Sequence, residues 1–181
     1  MDFKAEIMDE TAVRRSLSRI THEIIERNRG TDKLMLVGIK RRGVPLAKMI
    51  ADNILRFEGT EVPVGYLDIT QYRDDIDEMD SPAYDGETMI PCDVSDMRVI
   101  LVDDVMYTGR TVRAAIECVF TYGRPASIQL AVLIDRGHRE LPLRPDFVGR
   151  NIPTAKTELV SVHVPDIDGE MCVRLLDAKT R

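Results

Sequence analysis

The sequence predicts an α/β fold, a mostly parallel central sheet flanked by helices, and three observations carry that prediction. Apolar runs of strand length alternate with amphipathic stretches of helical period. The connections between successive strands are long enough to cross over a sheet. The run at 98–102 is apolar without alternation, as a strand buried on both faces requires. The 181 residues suffice for one domain with a substantial core, and no repeat, low-complexity tract or linker divides them.

The first helix is expected over 10–29, where Val13, Leu17, Ile20 and Ile24 form one apolar stripe. Gly30 ends it, with Arg27 and Arg29 well placed against the negative end of its dipole. A short strand at 34–39 leads into the turn GIKRRG, which has glycine at both ends and cations between them. A second helix covers about 44–57, with Pro45 in its first turn. Residues 62–69 read as a strand. The stretch 70–90 is acidic, weakly periodic and broken by Pro82 and Gly86; a loop of this length is expected to be a functional lid or disordered. Beyond the strand at 98–102 come a helix over about 109–122, ended by Gly123, and strands at 127–134 and 159–164.

Hydrophobic content of 44% and charged content of 31% are ordinary for a soluble globular protein. No apolar run reaches bilayer length, and MDFKAEIMDE is acidic where a signal peptide is basic, so a cytoplasmic protein without membrane attachment is expected. Cys92, Cys118 and Cys172 fit neither a disulfide framework nor zinc-ligand spacing, and His22, His138 and His163 lack ligand spacing as well. The net charge of −6 does not exclude nucleic acid. Nine acids and no Lys or Arg lie between Asp74 and Asp96, which leaves 25 basic and 22 acidic residues elsewhere for a basic face.

The chemistry concentrates in VILVDDVMYTGRT, residues 99–111. In a parallel sheet, ligands bind outside the carboxyl ends of the strands, which is where Asp103 and Asp104 fall. Gly109 lets backbone N–H groups approach an anion, Thr108 and Thr111 add hydroxyls, and the following helix presents its N-terminus. That turn suits a phosphate. The carboxylates repel phosphate but accept hydrogen bonds from a vicinal diol, so together the parts describe a ribose 5-phosphate site. Other nucleotide motifs fail: GIKRRG has the glycine spacing of a P-loop, but Val44-Pro45 stands where Lys and Ser/Thr are required. There is no GxGxxG, and the adjacent Asp103-Asp104 pair is not the Asp-x-Asp of an aspartyl phosphotransferase.

This motif resembles the phosphoribosyl pyrophosphate (PRPP) signature of type I phosphoribosyltransferases. With RITHEIIERN, LVGIKRRG, LDITQYRDD, SIQLAVLIDRGHRELP and VGRNIPT, the chain is similar to the bifunctional pyrimidine-operon attenuators that have uracil phosphoribosyltransferase activity. The resemblance implies the type I fold with a small hood and a flexible lid loop, and transfer from PRPP to uracil giving UMP and pyrophosphate. Mg²⁺ would be held through PRPP rather than by the protein directly. It further implies catalytic roles for Asp103, Asp104 and Arg73. PRPP or UMP would be bound by Lys40, Arg41 and Arg42, by the run Val99, Ile100, Leu101, Val102, Asp103, Asp104, Val105, Met106, Tyr107, Thr108, Gly109, Arg110 and Thr111, and by Asp135, Arg136 and Val160. Family members often carry Thr at Arg41, which points to its backbone. Purine enzymes of this type place Asp at Tyr107 to assist the base at N7, an atom uracil lacks, so Tyr107 turns the site toward a pyrimidine. Nothing is transferred onto 76–90, where the family itself varies.

The resemblance also implies binding of pyrimidine-operon leader mRNA, strengthened by UMP or UTP, through Arg15, Ser18, Arg19, His22, Arg27, Arg139, Arg144 and Arg150. It implies a homodimer or larger homo-oligomer. Independently, Arg15, Ser18, Arg19, His22 and Arg29 lie opposite the apolar stripe, and His138, Arg139, Arg144, Arg150 and Lys156 form a second basic group. Two readings stay open: an RNA-binding regulator that is also an enzyme, and a salvage enzyme whose basic face is incidental. A PRPP sensor with negligible catalysis is disfavoured by Asp103, Asp104 and the cations of GIKRRG.

Overall fold

The computed structural model describes residues 1–72 and 87–177. Its strands are β1 (Asp2–Met8), β2 (Leu34–Ile39), β3 (Val64–Leu67), β4 (Arg98–Met106), β5 (Ser127–Asp135), β6 (Phe147–Asn151), β7 (Glu158–His163) and β8 (Cys172–Asp177). The helices are α1 (Glu10–Asn28), α2 (Gly43–Glu58), α3 (Arg110–Phe120) and the single turn α4 (Pro165–Asp168). Five strands form an all-parallel sheet in the order β3-β2-β4-β5-β6. The remaining three make a small antiparallel hood in the order β1-β8-β7.

Alternate residues of the central strands feed two apolar layers, which is why these strands read as continuous hydrophobic runs. Leu34, Leu36, Ile100, Val102, Ala131 and Leu133 face α1 and α2. Met35, Val37, Val99, Leu101, Leu130 and Val132 face the other way, toward Val112, Ala115 and Val119 of α3. The predicted stripe of α1 is buried in full, and the helix begins where the Asp9 carboxylate accepts the Ala12 N–H at 2.8 Å. Val160, Val162 and Val173 of the hood join the same apolar cluster as α1 and α2, so the hood rests on the body of the protein. No helix among the described residues is long and apolar enough to cross a membrane.

Three sequence expectations need correction. The strand at 98–102 continues to Met106, so Asp103 and Asp104 lie inside β4 rather than after it. Pairing explains the extension: β2 leaves the ladder at Gly38–Val102, while β5 continues alongside through Asp103–Val132 to Met106–Asp135. A strand end supported on one side only tolerates carboxylates, whose other side is open. The strand expected at 159–164 belongs to the antiparallel hood, not to the parallel sheet. The strand expected at 62–69 contracts to Val64–Leu67.

Topology then fixes where a ligand belongs. From β2 the chain crosses through α2 to β3 on one side, and from β4 it crosses through α3 to β5 on the other. The carboxyl ends of β2 and β4 therefore flank a switch point, where the two following loops diverge and leave a crevice. The 70–90 stretch opens with a short 3-10 turn, Thr70–Tyr72. It returns to the edge strand where Tyr66 and Met89 exchange backbone hydrogen bonds of 2.8 and 2.9 Å. Residues 73–86, Arg73 among them, lie outside the described residues.

Candidate active site

The first wall of the crevice is the loop after β2. Gly43 is required there by close approach: a Cβ at this position would stand 2.2 Å from the Val102 carbonyl oxygen. The loop backbone thus lies directly on β4, one residue before Asp103. The Lys40–Arg41 peptide is cis. The Lys40 ammonium sits 5.1 Å from the centre of the Tyr66 ring. Arg41 is exposed, and Arg42 makes two hydrogen bonds, of 2.7 and 3.1 Å, to Asp168 of α4.

The floor is the polar end of β4. Asp103 is only 7% exposed, and its Oδ1 accepts the Asp104 N–H at 2.9 Å. The Asp104 carboxylate accepts the Val105 N–H at 2.8 Å in the same manner. Burial pushes the Asp104 carboxyl above the ordinary carboxylate range, against the pull of its hydrogen bonds and the nearby charge of Arg42. Two carboxylates, one backed against the loop of cations, are suited to accept hydrogen bonds from the hydroxyls of a diol.

The opposite wall is the turn into α3. Gly109 has φ +98°, a left-handed conformation that glycine adopts without penalty, and it caps the helix. The Thr108 carbonyl accepts N–H groups from Glu140 and Leu141 at 2.9 and 3.1 Å, which braces the turn from outside. Arg110 pairs with Glu140 at 2.9 Å. The first-turn N–H groups of α3 are then presented to an anion by a rigid support.

At the far end stands an aromatic and cationic group. The Arg136 guanidinium is buried and held by Thr154 Oγ1 at 3.1 Å and the Glu158 carbonyl at 2.6 Å. It lies 4.1 Å from the centre of the exposed Tyr107 ring, and the His138 ring meets Tyr107 edge-on at 5.8 Å. Asp135 accepts the Gly137 N–H at 3.0 Å and pairs with Arg139. Burial raises the Asp135 carboxyl, but Arg139 and the Gly137 N–H outweigh it and hold the group below the usual range. Asp135, Arg136, Arg139 and Arg144 line a cavity of about 440 Å³, a volume typical of small-molecule sites.

Residues 5–166 match the phosphoribosyl transferase domain family, a span that holds the central sheet, the loop after β2 and the whole 99–111 motif. The chain belongs to that family. It is 58% identical over 174 residues to the bifunctional protein PyrR of Acetivibrio thermocellus, spanning 96% of this chain and 95% of that one. The bifunctional protein PyrR of Thermus thermophilus is 57% identical over 175 residues, 97% of each chain. Among solved structures, a hypoxanthine phosphoribosyltransferase of Trypanosoma cruzi aligns with a TM-score of 0.72 at 18% identity over 98% of both chains. One from Staphylococcus aureus gives 0.69 at 16% identity over 96% of this chain and 92% of that one. These two likenesses establish the phosphoribosyltransferase fold.

Seen as a phosphoribosyltransferase, the chain gathers Lys40, Arg41, Arg42, Asp103, Asp104 and the turn Tyr107–Thr111 at its switch point, with Asp135 and Arg136 beyond the turn. Val99, Ile100, Leu101 and Val102 are 0–2% exposed and carry the carboxylates from beneath. Val105 is half-buried; Met106 and Val160 are buried in the two cores. Sequence reasoning passed over Asp168 and Thr154, which hold Arg42 and Arg136. An acidic residue in a one-turn helix gives no local signal of a partner 126 positions away.

The basic residues divide into two groups. Arg15 is exposed and Ser18 half-buried; Arg19 bonds Glu23 and the backbone carbonyls of Val148 and Gly149, tying α1 to β6. His22 stacks on Phe57 at 4.2 Å, Arg27 pairs with Asp146 at 2.8 Å, and Arg150 bonds the Ile7 carbonyl at 2.8 Å. Arg139 and Arg144 belong instead to the cavity wall beside Asp135. His163, Glu170 and Cys172 meet within 4.8 Å in the hood, a grouping that ligand spacing along the sequence did not reveal. Arg174 makes two hydrogen bonds to Glu170, of 2.8 and 2.7 Å, so this carboxylate already has a cation.

Proposed function

We propose that the crevice transfers the 5-phosphoribosyl group of PRPP to uracil, giving UMP and pyrophosphate, and that the same chain regulates a pyrimidine operon by binding its leader mRNA, more tightly when a uridine nucleotide is bound. One observation carries the catalytic half in a member of this family. A cationic loop, a pair of carboxylates and a helix N-terminus converge on one switch point, the three kinds of group that suit the pyrophosphate, ribose and 5′-phosphate of PRPP.

In this reading the Thr108–Thr111 turn and the α3 N-terminus hold the 5′-phosphate. Asp103 and Asp104 accept hydrogen bonds from the 2′- and 3′-hydroxyls. Lys40, the Arg41 backbone and Arg42 face the pyrophosphate. As the bond between C1 and the pyrophosphate oxygen lengthens, positive charge develops on the sugar ring, and the two carboxylates stabilise it. Uracil N1 forms the new bond to C1, the electron pair of the broken bond leaves on pyrophosphate toward the cations, and the N1–H proton passes to the departing pyrophosphate. Tyr107 and Arg136 face the base; Arg73 and the lid serve to exclude water, since hydrolysis of PRPP competes. Magnesium fits this site when carried by PRPP, whose oxygens are the hard donors it prefers, with no direct protein ligand required. Held there, it would supply charge neutralisation at the pyrophosphate, alongside Lys40 and Arg42.

Incubating the protein with Mg²⁺, PRPP and uracil tests the catalytic half: UMP is expected, and its absence overturns the assignment. A gel-shift titration on the operon leader RNA, with and without UMP, tests the other half. A shift at lower protein concentration with UMP is expected; no shift under either condition leaves a salvage enzyme alone. That narrower reading draws support from Arg19, Arg27 and Arg150, whose intramolecular contacts account for them without RNA. The regulator is expected as a homodimer or larger assembly, which sedimentation reads directly.

A further inference from the structure

Arg42 and Asp168 come from opposite ends of the chain and meet above the crevice. Arg42 sits at the end of the loop that follows β2; Asp168 ends α4 in the hood. Arg42 Nε donates to one carboxylate oxygen at 3.1 Å and Nη2 to the other at 2.7 Å, a fork that fixes the guanidinium plane. Asp168 is itself fixed, since its Oδ2 also accepts the Val164 N–H at 2.9 Å and its own N–H bonds the Val164 carbonyl at 2.8 Å. The Asp168 side chain is 14% exposed and that of Arg42 33%. Arg42 also feels the charge of Asp104 on the floor of the crevice. The cation thus stands between a hood carboxylate that grips it and a floor carboxylate that attracts it.

We propose that Asp168 is a positioning residue for phosphoribosyl transfer: it holds Arg42 over the pyrophosphate side of the crevice and keeps it from collapsing onto Asp104, which must stay open for ribose. The fork uses two of the five N–H donors of the guanidinium and leaves the others for the pyrophosphate oxygens. It also ties the hood to the loop, so ordering one orders the other. The inference rests on the assignment of the loop after β2 to pyrophosphate.

The test is steady-state UMP formation by the full chain, with PRPP and uracil varied separately, together with titration of pyrophosphate by calorimetry. For Asp168→Asn, KM for PRPP and Kd for pyrophosphate are expected to rise about tenfold, the size expected for breaking a partly exposed charge pair. KM for uracil and kcat should move less than about threefold on the same grounds. Arg42→Gln should give the same pattern, the double variant should be no worse than the worse single one, and Asp168→Glu should recover part of the loss. Unchanged KM for PRPP, additive losses, or a fall in Tm with both substrates equally affected would each overturn the positioning role. Failure of the underlying assignment looks different: the unaltered protein would then bind no pyrophosphate, and Lys40→Gln would leave KM for PRPP unmoved.

Discussion

The Arg136 guanidinium lies 4.1 Å from the centre of the Tyr107 ring, with three protein acceptors holding the cation in place from behind. A buried, anchored cation on an aromatic face is worth about 1–2 kcal/mol. In the proposed reading Tyr107 closes the base end of the crevice. Tyr107→Ala should lower kcat/KM for uracil about tenfold, while Tyr107→Phe, which keeps the ring, should stay within about twofold. Separate saturation curves check this, because KM for PRPP should hardly change.

Asp104 should show function and stability pulling apart. Its folded pKa is raised from 3.8 by burial, so its favourable contribution to folding is present in acid and lost as pH rises through the folded value. Above its folded pKa the charged carboxylate costs stability. Asp104→Asn should raise Tm at pH 7 by about 2–4 °C and cut kcat/KM about 100-fold. Melting curves from about pH 4 to 7 should show the gap between variant and parent widening with pH.

Gly43 lies where the loop after β2 rests on β4. With a Cβ placed 2.2 Å from the Val102 oxygen, Gly43→Ala must displace backbone on one side or the other. A loss of roughly 1–3 kcal/mol in denaturant unfolding is expected, with a raised KM for PRPP. A neutral substitution would show that the loop does not rest there in solution.

The leader-RNA reading is best probed at Arg144, which is exposed, rather than at Arg19, which also ties α1 to β6. Arg144→Gln should weaken RNA binding more than it lowers uracil transfer, since the side chain lies on the cavity wall but is exposed. If Arg144 meets a phosphate of single-stranded RNA, the slope of log K against log salt should become shallower by about 0.7. Loss of RNA binding with an unchanged slope would instead point to base contact.

Much of this was legible in the sequence, for reasons that differ along the chain. β2, β4 and β5 announce themselves because their central runs, 34–37, 99–102 and 130–134, are apolar and buried on both faces. The stripe of α1 is legible because one face of a helix repeats. The hood is not: β1 is mostly exposed, and β8 pairs with both β1 and β7 through registers that no local period encodes. β6 contains Gly149, whose missing side chain lets the Leu133 carbonyl oxygen approach within 2.4 Å of where a Cβ would be, and glycine there looks like a loop. At the site, the strand-then-turn arrangement of 99–111 was readable, although its strand runs on to Met106. Asp168 and Thr154 were not, because their partners lie far along the chain and only the fold brings them near.

The cavity that Asp135 and Arg136 share with Arg139 and Arg144 has a thermodynamic consequence. If nucleotide at one wall and RNA at the other bias the same Asp135–Arg139 pair, their affinities are linked, and linkage is symmetric. Whatever factor UMP adds to the affinity for leader RNA, the RNA must add to the affinity for UMP. Measured with a fluorescent uridine nucleotide, the two factors should agree. The transcript would then be an effector of the protein as much as its target, retaining nucleotide on those molecules already engaged with it.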